Sequence, residues 1–72
     1  MLKDRFGVIN PDERDKYEKE FQIPMGYYFT TFYEKEAISV CRKNPNTVVE
    51  RIYNDFDHEN KKEQIYRGPM QG

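Results

Sequence analysis

Tyr27-Tyr28-Phe29-Thr30-Thr31-Phe32-Tyr33, followed by Glu34-Lys35-Glu36 and then Ala37-Ile38-Ser39-Val40-Cys41-Arg42-Lys43, is the stretch on which the fold turns. All seven of the first residues are aromatic or β-branched, the strongest strand signal in the chain. Beyond them Ile38 and Val40 alternate with Ser39 and Cys41, so Ala37–Lys43 reads as a second strand and residues 34–36 as the turn of a hairpin. Against this, that turn holds no glycine or asparagine to take a positive φ. The competing reading is a helix: Thr31 and Glu34 have capping-box spacing, and Phe32, Tyr33, Ala37, Val40 and Cys41 fall on one helical face. The aromatic content favours the hairpin.

Toward the N-terminus, Asn10-Pro11-Asp12-Glu13 is a helix start, with a side-chain acceptor at the N-cap, proline at N1 and acids in the first turn. The helix is expected to reach about Gln22, because Pro24 disfavours helical geometry at Ile23. Its apolar stripe is little more than Tyr17 and Phe21. Before it, Arg5–Ile9 is a short strand or an anchored arm. After the hairpin, Asn44-Pro45-Asn46-Thr47 repeats the cap-plus-proline pattern, and Val48, Val49, Ile52, Tyr53 and Phe56 recur at amphipathic spacing, which predicts a helix from Thr47 to about Phe56. Residues 64–67 form a possible last strand, and the tail 68–72 is expected to be loose. The whole reads as one small α+β domain over residues 1–72, a single-layer core with an aromatic β-hairpin packed against one or two helices; the alternative is a three-helix all-α domain.

Size and composition limit what such a domain can do. A 72-residue chain of 8.8 kDa buries only about 60% of the surface its unfolded form exposes, so a cofactor-sized enzyme core is excluded. Its one cysteine, Cys41, has no disulfide partner within the chain, and no apolar run is long enough for a signal peptide or a membrane span. The expectation from these features is a reducing, cytoplasmic setting. Phe, Tyr, Met, Ile, Asn and Lys supply 31 of the 72 residues and Gly, Ala, Arg and Pro only 14, which points to a low-GC genome such as that of a bacterium, its plasmids or its phages.

The inventory for bond chemistry is thin. Cys41 and His58 are the sole thiol and the sole imidazole, and Cys41 lies in an apolar-periodic segment, where free cysteine packs as a small hydrophobe. Asp55, Asp57, His58 and Glu59 invite a cation, but an EF-hand loop counted from Asp55 puts Asn60 where glycine belongs and Tyr66 where glutamate belongs. No phosphate loop, nucleophile elbow or HExxH helix is present. The expectation is no enzyme, no cofactor and no metal.

Recognition remains. Successive strand residues point to opposite faces, so a thin domain cannot hide every ring of residues 27–33. The expected role is a non-enzymatic protein-binding module, a small phage or mobile-element inhibitor or modulator that occupies a surface of a host protein, acting in the host cytoplasm if phage-encoded. Tyr27, Phe29 and Tyr33 would contact the partner from one strand face, with Arg42 or Arg51 pairing to its carboxylates. A single-stranded nucleic-acid binder using the aromatic strand is a second possibility, although a sequence pI near 5.8 and net charge of −1 oppose it. A structural homodimer joined through exposed rings is a third.

Overall fold

A computed structural model describes residues 3–53 and 61–69. The chain is a small α+β domain with two helices and a four-stranded antiparallel sheet, its elements running β1 (Arg5–Ile9), α1 (Pro11–Phe21), β2 (Phe29–Thr31), α2 (Glu34–Lys43), β3 (Val48–Ile52) and β4 (Lys62–Arg67). The sheet order is β2-β1-β3-β4. The fold class matches the sequence reading; the elements that fill it are arranged differently.

The local helix signal at Asn10 holds. The Asn10 side-chain oxygen accepts from the Glu13 backbone N–H at 3.1 Å, Pro11 opens α1, and Gln22 ends it in the left-handed region at φ 58°. Arg5–Ile9 is a strand, and it lies inside the sheet, between β2 and β3.

The predicted hairpin is replaced by a strand and a helix. β2 keeps only Phe29–Thr31, and residues 34–43 coil into α2. A hairpin here would need positive φ at 34–36, which no residue there adopts readily. The helix instead places Glu34 and Glu36 in its first turn and Arg42 and Lys43 in its last, where each charge opposes the macrodipole. It buries Ala37 and Cys41, one turn apart, rather than the alternating Ile38 and Val40 of a strand.

The predicted helix over 47–56 is also replaced. Asn44-Pro45-Asn46-Thr47 ends one helix instead of starting another: the Asn44 amide donates to the Val40 carbonyl at 2.7 Å, Asn46 takes φ 64°, and the Thr47 hydroxyl donates to the Asn44 carbonyl at 2.6 Å. Proline just past a helix end is as natural as proline at its start. The chain then enters β3, which pairs with β1 on one side and β4 on the other. A strand in that position buries residues on both faces, so Val48 and Val49 are both buried, and their β-branched side chains suit it. The rest of that predicted helix, beyond Tyr53, lies outside the described residues, as do Asp55, Asp57, His58 and Glu59.

Register sorts the sheet into two faces, because directly paired residues share one. Val8 is opposite both Phe29 and Val49, and Val49 is opposite Tyr66. This face carries α2, and the core is Val8, Val49, Ala37 and Cys41, with Phe6, Phe29, Ile38, Val40, Ile65 and Tyr66 packed around it. The opposite face holds Gly7, Ile9, Val48 and Glu50, all buried.

The tail is not loose where it is described. Gly68 donates to the Thr47 carbonyl at 2.9 Å, and Asn46 donates to the Pro69 carbonyl at 2.8 Å, so the strand end is tied to the turn after α2. Residues 70–72 lie outside the described residues.

Candidate interaction surface

The five residues expected to meet a partner do not share a face. The chain turns between Tyr27 and β2, so the two rings that an extended strand would align lie on opposite sides of the sheet. A Cβ on Gly7 would fall 2.4 Å from the Tyr27 ring, which places that ring directly against the glycine. The Tyr27 hydroxyl donates to Glu50 Oε1 at 2.8 Å, and Arg14 Nη1 donates to the same oxygen at 2.7 Å. Burial, followed by the hydrogen bond to Glu50, pushes the Tyr27 phenol well above its ordinary range. Phe29 faces the other way and packs against the α2 core.

Arg51 is likewise occupied. Its Nε donates to Asp4 Oδ2 at 2.8 Å, its Nη2 lies 2.7 Å from the same oxygen in the ion pair, and its guanidinium carbon lies 4.8 Å from the centre of the Tyr53 ring. The Asp4 hydrogen bond raises the Arg51 pKa further. Tyr27, Phe29 and Arg51 therefore hold the domain together, and the shared strand face expected for Tyr27, Phe29 and Tyr33 does not form.

Tyr33 and Arg42 are different. Tyr33 stands at the N-cap of α2 with 65% of its surface exposed, next to Phe32 at 53%. Arg42 lies on the solvent side of α2, where Lys35, Ile38, Ser39, Arg42 and Lys43 line a shallow groove of about 420 Å³. Residues 35, 38, 39, 42 and 43 are spaced as one helical stripe, away from the side that buries Ala37 and Cys41. Phe32, Lys35, Ser39 and Lys43 were invisible as a group under the hairpin reading, which scatters them over two strands and a turn. The helical alternative grouped Phe32 and Tyr33 with Ala37, Val40 and Cys41, the side of α2 that turns to the core, and did not pick out this stripe either.

The two helices carry charge in different ways. On α1, Asp12 and Lys16, Asp15 and Lys19, and Lys16 and Glu20 are opposite charges at i, i+4 spacing. On α2 none of Lys35, Arg42 and Lys43 has a carboxylate three or four residues away, and among the described residues none of the three forms an ion pair. Lys35 also sits in the first turn, where the macrodipole disfavours a cation.

Other chemistry is sparse among the described residues. The Cys41 thiol is buried and donates to the Thr47 carbonyl at 3.3 Å. No group of three or more His, Cys, Asp or Glu residues is placed to hold a metal ion there, and no helix is long and apolar enough to cross a membrane. No protein-family model matches the chain, and no curated protein or solved structure shows significant similarity to it.

Proposed function

We propose that the chain is a non-enzymatic protein-binding module that acts by occupying a surface of a partner protein, with Phe32, Tyr33 and the outer face of α2 as the contact. The observation that carries this reading is the exposure of Tyr33. A tyrosine with two-thirds of its surface in water, whose side chain makes no hydrogen bond among the described residues, contributes little to the fold. Tyrosine and arginine are the side chains that most often anchor protein interfaces, and Tyr33 leads directly into the stripe that contains Arg42. Blocking a host protein, as a phage or mobile-element inhibitor does in the cytoplasm, requires no more than such a surface.

Site-specific photo-crosslinking in source cells tests it. A benzophenone side chain at position 33 is expected to capture one discrete protein, and the same probe at position 16, on the outer side of α1, is expected to capture none. Equal capture at both positions, or no protein adduct at 33, overturns the assignment.

A further inference from the structure

We infer that the α2 groove receives an acidic polypeptide segment, its carboxylates held by Lys35, Arg42 and Lys43 and an apolar residue lying over Ile38. The inference deepens the protein-binding reading by giving the chemistry of the bound surface, and it rests on that reading.

Charge is the first support. The groove is lined by three cations and no acid. A helix face that only meets water is commonly laced with opposite charges at i, i+4, as the outer side of α1 is. The α2 stripe lacks that lacing. Arg42 and Lys43 gain from the helix C-terminus, whereas Lys35 stands at the positive end; Glu34 and Glu36 flank it in the first turn, yet among the described residues it forms an ion pair with neither. A carboxylate from outside the chain would supply that pair.

The dimensions are the second support. Lys35 and Arg42 are seven residues apart, about 10 Å along the helix axis. In an extended segment only alternate residues share a face, and residues four apart lie about 14 Å from each other, so acids at the two ends of a five-residue stretch reach both cations, whose long side chains span the remaining few ångströms. The central side chain of that stretch then faces Ile38, which is half-buried and presents aliphatic surface at the middle of the stripe.

A nucleic acid fits less well. Its affinity grows with the number of phosphates neutralised, and proteins that depend on this term make on the order of six to ten such contacts. Three cations on one short helix offer about half that, and the aliphatic Ile38 provides no stacking platform for a base.

The test is a titration of the isotopically labelled full chain, followed by amide NMR, with an octapeptide built of Glu, Asp and Leu. Shift changes are expected to map to residues 33–43. Affinity is expected to fall at least about tenfold in Lys35→Glu/Arg42→Glu, where like charges now face each other. Lys35→Glu alone is expected to weaken binding while melting no lower than the parent, because an acid in the first turn suits the helix; this separates lost binding from lost folding. The amide counterpart, in which Gln and Asn replace the acids, is expected not to bind.

Three results overturn the inference: no shifts at millimolar peptide, shifts centred outside α2, or equal binding of the amide counterpart. An oligothymidylate that binds the same residues more tightly than the acidic peptide also overturns it, in favour of nucleic acid. In each case the crosslink from position 33 is scored independently, so a protein partner that docks by other chemistry remains distinguishable from no partner at all.

Discussion

Glu50→Ala is expected to destabilise the domain by about 3 kcal/mol, which is a large share of the roughly 5 kcal/mol that a chain of this size is expected to have. Glu50 lies in the middle of the sheet, and its side chain is only 10% exposed. One of its oxygens accepts from both Arg14 and Tyr27. Removing it leaves a guanidinium that is four-fifths covered and a half-buried phenol without their acceptor. The cost of breaking such a pair comes mainly from the charge left behind.

The consequence should be concentrated in α1. That helix buries no residue, so its attachment depends on polar contacts: Arg14 to Glu50, the Tyr28 hydroxyl to Glu13 Oε2 at 2.6 Å, and the Met25 N–H to Glu18 Oε2 at 3.2 Å. Urea unfolding should show the lowered stability, and amide exchange should show α1 losing protection before the sheet does. Replacing both charges together, Arg14→Met with Glu50→Leu, should recover most of the loss. A Glu50→Ala variant as stable as the parent would mean that this cluster is solvated and holds nothing.

Gly68→Ala should cost about 2 kcal/mol, for a different reason. The added methyl would lie 2.9 Å from both the carbonyl oxygen and the sulfur of Cys41, and 3.1 Å from the Thr47 carbonyl oxygen. Two of these three atoms are backbone, so no side-chain rotation relieves the clash. The strand end must move, and the bonds from Gly68 to Thr47 and from Asn46 to Pro69 go with it. Gly26→Ala is the matched control, since nothing lies within 4 Å of its Cβ position. Thermal unfolding of the two variants should separate them clearly; a Gly68→Ala protein that melts with the Gly26→Ala control would contradict the close approach of β4 to α2.

What could be read from the sequence was what a few adjacent residues decide. Asn10-Pro11-Asp12-Glu13 carries its own cap, its own φ restriction and its own first-turn charge, and α1 starts there. The same kind of signal misled at Asn44-Pro45-Asn46-Thr47, because a capping side chain and a proline serve the end of a helix as well as its beginning. Val48 to Tyr53 misled for a tertiary reason. Adjacent valines with apolar residues one turn later resemble an amphipathic helix, yet a strand with neighbours on both sides buries consecutive residues and produces the same spacing.

The interaction surface followed the fate of residues 34–43. As a strand, that segment would set Arg42 beside Lys43 on alternating faces; as a helix, it gathers Lys35, Arg42 and Lys43 along one groove. Tyr33 and Arg42 were nominated from the sequence because both are residue types that interfaces favour, and the fold leaves both exposed. Tyr27 and Arg51 are equally typical, and only the fold reveals that Glu50 and Asp4 already hold them.

Tyr27, Phe29 and Arg51 are engaged within the domain, whereas Tyr33 and Arg42 are exposed and proposed to meet a partner. Urea unfolding of the five single alanine variants separates the two groups. Tyr27→Ala, Phe29→Ala and Arg51→Ala should lower the unfolding midpoint, while Tyr33→Ala and Arg42→Ala should stay within about 0.5 kcal/mol of the parent. If Tyr33→Ala or Arg42→Ala destabilised the protein as much as Tyr27→Ala, the outer face of α2 would be part of the scaffold and the division into two groups would be wrong.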